Sequence, residues 1–248
     1  MIETSYIGQI AKIDLRHGKV NAMDIEFCTA LLKTLADLQQ ADCAGVMITG
    51  NERVFSAGID LKRWLSESED YVEPFMLRLE ELFERVFLFP KPIVAIINGP
   101  AVAGGCMLAA ACDYRVISSE AKIGILESRL GVALPTMAIE IMRHVALPAD
   151  FRRIVSIGAT YKGAEAVTAG LADHCVDKQA LDKTAIEAAE QLAALPIDAF
   201  RLTKQQRTLP VMRIVEQNRA ELMENYLAIW KSPKTRAAIS QYVAQRLK

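Results

Sequence analysis

The stretch from Ile93 to Ala111, IVAIINGPAVAGGCMLAAA, decides the fold that we expect for this chain. It begins with a short, mostly β-branched run, Ile93 to Ile97, which predicts a buried strand. A loop follows and opens at Gly104-Gly105 into a helix of small residues, Cys106 to Ala111. A strand that leads through a loop into a helix is the building unit of α/β folds.

The same alternation extends in both directions along the chain. We expect a helix from Asp24, an amphipathic helix that closes at Pro90, and mostly helical structure beyond about Gly131. The remaining runs alternate or are continuously apolar, and each predicts one strand: Ile7 to Leu15, Ala44 to Thr49, Tyr114 to Ile117 and His174 to Val176. The sequence therefore predicts an α/β core over residues 1–195 and a C-terminal helical region over 196–248.

Bulk composition excludes several classes of protein. The 29 Lys and Arg residues nearly balance the 30 Asp and Glu residues, so no strong field exists to attract nucleic acid or an anionic membrane. The five cysteines form no CxxC pair, which favours a reducing compartment. We find neither a targeting segment nor an apolar run long enough to span a membrane, and we expect a cytoplasmic protein.

Two glycine-containing turns carry the candidate chemistry. Phe55-Ser56-Ala57-Gly58-Ile59-Asp60 and Ala103-Gly104-Gly105-Cys106 each leave a predicted strand and enter a predicted helix. Backbone N–H groups at such positions can bind an anion, although either turn alone is more typical of an ordinary tight turn. Neither segment contains the GxGxxG pattern of dinucleotide sites or the Gly-Lys-Ser/Thr of a P-loop.

Together with Ile123-Gly124-Ile125-Leu126-Glu127-Ser128-Arg129-Leu130-Gly131, the two turns resemble the crotonase, or enoyl-CoA hydratase/isomerase, family. The resemblance extends from Val20-Asn21-Ala22 to the region of Gly170-Leu171. It implies a β-β-α superhelix with a C-terminal helical region that serves in trimerisation or as a lid. It also implies an acyl-CoA thioester substrate, no separate cofactor, and assembly as homotrimers or dimers of trimers.

The resemblance assigns roles to particular residues. The N–H groups of Ile59 and Gly104 are expected to form an oxyanion hole for the thioester carbonyl, and Glu127 is expected to move the proton. The expected substrate-binding residues lie in or beside the same segments and are Ala57, Gly58, Asp60, Leu61, Lys62, Met107 and Leu126.

One departure from the family pattern selects among its activities. Hydratases of this family carry two glutamates around the attacking water, and the first of these positions is Met107 here. A thioether cannot act as a base, whereas one carboxylate suffices to shift a double bond. The chain is most similar to the enoyl-CoA isomerases, which also lack the first glutamate. A hydratase, another thioester chemistry of the family, and a non-catalytic acyl-CoA binder are the alternatives.

Other candidates have plainer explanations. We expect Cys106 to be a packed thiol rather than a nucleophile, and Asp60 to cap the helix that begins at Leu61. Lys62 is as typical of solvated surface charge as of phosphate binding. The three histidines lack metal-ligand spacing, so we expect no metal. The methionines could equally belong to the core or line an acyl tunnel.

Overall fold

The computed structural model describes residues 2–246. Its strands and helices alternate as the sequence predicts. The strands are β1 (Ile2–Ile7), β2 (Ile10–Leu15), β3 (Gly45–Thr49), β4 (Ile93–Ile97), β5 (Ala101–Val102), β6 (Tyr114–Ser118), β7 (Lys122–Gly124), β8 (Thr160–Lys162) and β9 (His174–Val176).

Helices fill the space between these strands and form the whole C-terminal region. They are α1 (Ile25–Gln40), α2 (Leu61–Ser66), α3 (Glu69–Phe87), α4 (Gly104–Ala110), α5 (Glu127–Leu130), α6 (Thr136–Val145), α7 (Pro148–Ile157), α8 (Ala164–Thr168), α9 (Leu181–Ala193), α10 (Ile197–Trp230) and α11 (Pro233–Arg246).

Six strands form one sheet in the order β1-β2-β3-β4-β6-β9, in which only β1 and β2 pair antiparallel. A smaller sheet contains β5, β7 and β8. Because β3 and β4 are parallel neighbours, the loops that leave their carboxyl ends lie side by side. Those two loops are the glycine-containing turns of the sequence analysis.

The central strand β4 is buried on both faces, which explains its continuous apolar sequence. Ile93, Ala95 and Ile97 pack into the main core, while Val94 and Ile96 pack under α9. The α/β fold class that the sequence predicts is confirmed by this order of strands and helices.

One local expectation was wrong. The segment Ile7 to Leu15, predicted as a single strand, instead contains the turn of a hairpin that joins β1 to β2. Gly8 takes φ +57° at this turn, a left-handed conformation that glycine adopts without steric cost. Apolar and polar residues alternate only weakly on both sides of Gly8, so the pattern does not reveal the turn.

Polar contacts join the C-terminal helices to the rest of the chain. Lys204 of α10 donates to Asp113 at 2.7 Å, and Arg207 donates to the other carboxylate oxygen of Asp113 at 2.8 Å. Farther along, the indole N–H of Trp230 donates to the carbonyl of Ala133 at 3.1 Å. A boundary at residue 195 coincides with the break between α9 and α10, but independent folding of the two parts stays a prediction.

Candidate active site

In the first loop, residues 55–60, the backbone hydrogen bonds on either side of Ile59 leave its own N–H free. Met23 donates to the carbonyl of Gly58 at 2.7 Å and accepts from the N–H of Asp60 at 2.9 Å. In a parallel bridge of this kind, the N–H and C=O of the central residue point to the opposite side. Ile59 therefore presents its N–H to the cavity, and no described residue accepts from it.

The second loop frees the N–H of Gly104. The N–H of Ala103 donates to the carbonyl of Gly124 at 2.9 Å, and Gly104 then begins α4. The first N–H groups of a helix have no intrahelical acceptor, and none is found for Gly104 among the described residues. Ala103 takes φ 54° and ψ −127°, a strained conformation for a residue with a side chain.

Close backbone contact brings the two free N–H groups together. A Cβ on Gly58 would lie 2.6 Å from the Cβ of Ala103, and one on Gly105 would lie 2.3 Å from the carbonyl oxygen of Ser56. Only glycine fits at both places. The loops are thus packed directly against each other, which places the amides of Ile59 and Gly104 beside one cavity.

Glu127 is the buried carboxylate of this region. It is only 6% exposed and begins the short helix α5, while one of its oxygens accepts from the N–H of Leu126 at 2.8 Å. Burial raises its pKa to about 7, and hydrogen bonds from the backbone partly oppose that rise. A carboxyl group with this pKa can both take up and release a proton near neutral pH.

A wide cavity of about 610 Å³ opens on one side of Glu127. Trp230, Tyr242 and Arg246 bring the C-terminal helices to its wall. Thus the chain covers its own candidate site with its last helices, one of the two arrangements that the sequence left open. The other lining residues come from the N-terminal turn, the two loops and α5, and include Lys19, Ala57, Asp60, Leu61, Lys62, Ala103, Leu126 and Leu130.

A second cavity of about 10 Å³, narrow and almost entirely apolar, also borders Glu127. Ile59, Glu127 and Trp230 line both cavities, so these residues mark the junction between them. The remaining wall of the narrow cavity is formed by Leu79, Phe83, Gly104, Met107, Ala133, Leu134, Pro135, Ala138 and Tyr226.

The structure brings together every residue that the sequence nominated for the site. Ala57, Ile59, Asp60, Leu61, Lys62, Leu126 and Glu127 line the wide cavity, whereas Ile59, Gly104, Met107 and Glu127 line the narrow one. Gly58 lies between the loops. Their roles in binding and catalysis stay predictions. Tyr226, Trp230, Tyr242 and Arg246 also line the cavities, but no motif in the sequence marked them as site residues.

The plainer explanations of Asp60 and Cys106 agree with the structure. The side chain of Asp60 caps α2 by accepting from the N–H of Arg63 at 2.9 Å. Cys106 is fully buried, and burial together with the nearby Glu127 raises its pKa, which opposes a nucleophilic thiolate. Among the described residues, no cluster of His, Cys, Asp or Glu could hold a metal ion.

Two charged residues near the end of α4, Asp113 and Arg115, make structural contacts. Arg115 donates to Asp173 at 3.0 Å, and Asp113 receives the cations of α10. Of the methionines considered for an acyl tunnel, Met107 lines the narrow cavity, while Met137 and Met142 are buried in the main core.

Glu127 lines two cavities, and the nearby N–H groups of Ile59 and Gly104 have no acceptor among the described residues. Such a set of groups can stabilise a developing oxyanion. Residues 6–247 match the enoyl-CoA hydratase/isomerase family, and the chain belongs to that family. The crotonase-type fold that the sequence predicts is thereby confirmed, and the family is one of enoyl-CoA hydratases and isomerases.

Individual relatives carry both kinds of name. The chain is 28% identical to human "Enoyl-CoA delta isomerase 1, mitochondrial" over 253 residues, covering 100% of this chain and 83% of that protein. It is 34% identical to a "Putative enoyl-CoA hydratase" of Thermus thermophilus over 191 residues, covering 75% of this chain and 74% of that protein. The crystal structure of human mitochondrial delta3-delta2-enoyl-CoA isomerase superposes with a TM-score of 0.94 at 25% identity, covering 98% of this chain and 97% of that one.

Within residues 2–246, no helix is both long enough and apolar enough to cross a bilayer.

Proposed function

We propose that this enzyme is an enoyl-CoA isomerase that converts β,γ-enoyl-CoA to α,β-enoyl-CoA. The observation that carries the proposal is the isolation of Glu127. Of the described residues that line the two cavities, only Glu127 and Asp60 carry carboxylates, and Asp60 caps α2. A double-bond shift needs one base that removes a proton and returns it elsewhere, which matches a single carboxylate.

The proposed reaction begins with the thioester at the junction of the cavities. Its carbonyl oxygen accepts hydrogen bonds from the N–H groups of Ile59 and Gly104. Glu127 removes a proton from the α-carbon, and the electrons of that C–H bond pass into a dienolate whose charge rests largely on the carbonyl oxygen. Preorganised amides favour this step because the negative charge develops where they point.

Return of the proton completes the shift. The protonated Glu127 donates to the γ-carbon, the α,β double bond forms, and the carboxylate is regenerated. Because the proton removed is replaced and no electrons leave the substrate, the reaction balances without any cofactor other than the CoA already in the thioester. A pKa of about 7 for Glu127 suits both halves of the cycle.

Met107 supports isomerisation over hydration. Its side chain is buried and lines the narrow cavity with Glu127, where a second carboxylate would be needed to hold an attacking water. A thioether accepts hydrogen bonds only weakly and does not take up a proton at neutral pH. The apolar wall also keeps water from the dienolate.

The wide cavity is the proposed site of the CoA moiety. Lys19, Lys62 and Arg246 are exposed at its wall, where each can meet a phosphate. Lys62 has no ion-pair partner in the described chain, whereas the neighbouring Arg63 pairs with Glu67 at 2.6 Å. The proposal therefore assigns the anionic end of the substrate to these three side chains.

Enoyl-CoA hydration is the second candidate, because the Thermus relative with 34% identity is named a putative hydratase. Two assays distinguish the activities. Incubation with 3-hexenoyl-CoA should yield the conjugated 2-hexenoyl-CoA, detected by the absorbance of the conjugated thioester. Incubation with crotonyl-CoA should yield little 3-hydroxybutyryl-CoA. Rapid hydration with no double-bond shift would overturn the proposal.

The third possible outcome is that the protein shows neither isomerase nor hydratase activity. If the protein binds acyl-CoA yet catalyses no exchange of the α-proton with solvent deuterium, it is a non-catalytic binder. The exchange measurement tests Glu127 directly, since it needs only the first proton transfer.

Self-association is proposed as homotrimers or dimers of trimers. The support is a set of exposed, large apolar side chains along α10, which bury little surface within one chain: Leu202, Leu209, Ile214, Leu222 and Ile229. Sedimentation of the full chain would give the number of subunits. The cytoplasmic location expected from the sequence stays a prediction, and the human relative is named as a mitochondrial protein.

A further inference from the structure

Residues along one face of α10 line three cavities, one after another. Arg219, Met223, Tyr226 and Trp230 are spaced by four, three and four residues, so they lie along one side of the helix. Trp230 lines the wide and the narrow cavity, and Tyr226 lines the narrow one. Arg219 and Met223 line a third cavity of about 550 Å³, which lies between α3 and α10.

Residues of α3 line two of these cavities, the narrow one and the third one. Leu79 and Phe83 line the narrow cavity, while their sequence neighbours Glu80 and Glu84 line the third cavity. The two spaces are therefore separated by about one layer of side chains, contributed by α3 and α10. Tyr226 is the largest member of the α10 side of that layer.

Tyr226 is held firmly in place. Its hydroxyl donates to the Sδ of Met76 at 3.2 Å, and its ring stands edge-on to Trp230 with centroids 6.2 Å apart. The side chain is only 5% exposed. A buried aromatic ring with a polar contact at one end and an aromatic contact on its side does not move aside without losing both.

The narrow cavity, as Tyr226 leaves it, is too small for a long acyl tail. Its free volume of about 10 Å³ is roughly what a single water molecule needs. With the thioester carbonyl at Ile59 and Gly104 and the reacting carbons at the junction of the two cavities, the narrow cavity has room for about one further carbon.

We propose that Tyr226 ends the acyl pocket and thereby restricts this enzyme to short acyl chains. The inference rests on the proposed function, because it places the acyl group on the Gly104 side of Glu127. Tyr226 is a specificity-determining residue in this scheme. Removing its ring would open space beside Met76 and Trp230 and admit longer tails.

Binding of saturated acyl-CoA thioesters tests the proposal without requiring turnover. Butyryl-, hexanoyl-, octanoyl- and decanoyl-CoA are titrated calorimetrically into the full-length wild type, Tyr226→Ala and Tyr226→Phe. For the wild type we expect affinity to stop rising beyond hexanoyl-CoA. For Tyr226→Ala we expect affinity to keep rising by about four-fold for each buried methylene.

Tyr226→Phe is the matched control, because it keeps the ring and removes only the hydroxyl. It should retain the chain-length limit of the wild type. If thermal melting shows that Tyr226→Ala does not fold, Tyr226→Leu removes most of the ring while keeping an apolar side chain, and it should extend the limit by a smaller amount.

Each outcome has a definite meaning. A wild type whose affinity already rises four-fold per methylene up to decanoyl-CoA would overturn the inference, as would a folded Tyr226→Ala or Tyr226→Leu with the wild-type profile. Failure of the proposed isomerase activity is distinguishable, since the binding profile can still show the limit. An absence of binding for every acyl-CoA would overturn both.

Discussion

The backbones of Gly58 and Gly104 are in contact: a Cβ built on Gly58 would lie 2.8 Å from the amide nitrogen of Gly104. This contact aligns the two proposed oxyanion-hole donors, since Ile59 follows the first glycine and the second donor is Gly104 itself. Any side chain at position 58 must push the loops apart.

Gly58→Ala should therefore lower turnover by about 10² or more, the usual effect of losing one oxyanion-hole donor. Gly8→Ala is the control for backbone strain. Gly8 has φ +57°, compared with +81° for Gly58, but no atom lies within 4 Å of its Cβ position. Both variants should lose about 1 to 2 kcal/mol of stability through positive φ. Steady-state assays in which Gly58→Ala behaves like Gly8→Ala would contradict the contact argument.

Glu127→Gln should lower isomerase turnover by at least about 10², because the amide cannot move a proton. Glu140→Gln is a suitable control. Glu140 is also buried, but it pairs with Arg143 on α6 and lines neither site cavity. That variant should change stability and leave turnover unaltered. Equal turnover for Glu127→Gln and the wild type would exclude Glu127 as the base.

The raised pKa of Glu127 should make the stability of the folded protein depend on pH. In the unfolded chain the group titrates near 4.5, and in the folded protein near 7. Between these values the folded state holds the extra proton, so this group's contribution to stability is present below pH 4.5 and is lost as the pH rises to about 7. Above pH 7, Glu127→Gln should then be more stable than the wild type by on the order of 3 kcal/mol. Denaturant unfolding at pH 5 and pH 8 would check this, because the gain should be largest at pH 8.

Activity should follow the opposite trend with pH. The ionised form of Glu127 removes the first proton, so kcat/KM for 3-hexenoyl-CoA should rise with pH and level off above an apparent pKa of about 7. A profile that is flat from pH 5 to pH 8 would show that burial does not raise the pKa of the base in this way.

Met107→Glu should introduce a measurable hydration of crotonyl-CoA. The new carboxylate would share the narrow cavity with Glu127, and two carboxylates can hold and activate a water between them. Met107→Gln is the matched control, because it has the same shape without the charge and should not hydrate. If neither variant hydrates while both remain folded, Met107 does not decide between the two activities.

Lys62→Ala should raise KM for the CoA substrate several-fold with little change in kcat. An exposed cation that meets a distant phosphate binds the substrate and the transition state equally well. The effect should disappear with the corresponding N-acetylcysteamine thioester, which lacks every phosphate. Lys33→Ala on α1 serves as the control, since Lys33 is exposed and outside the cavity. A loss of the same size with both substrates would mean that Lys62 acts through structure and not through a phosphate.

The sequence by itself determined the features that depend on neighbouring residues. Continuous apolar runs such as Ile93 to Ile97 predicted buried strands, and Asp60 followed by Leu61 predicted a capped helix, because both depend on local periodicity and local hydrogen bonds. The resemblance of the two loops and of the Glu127 segment to one family then gave the fold class.

Only the tertiary structure decided which distant residues share the site. The sequence does not fix the distance between Gly58 and Gly104, since that depends on the parallel pairing of β3 with β4. Nor does it show that α10 and α11 fold back to bring Tyr226, Trp230 and Arg246 to the cavities. Such contacts join residues far apart in the chain, and helical periodicity indicates that a face is buried without indicating what covers it. The physical reason is that packing energy depends on the whole assembled core, whereas a local pattern contains only one side of each contact.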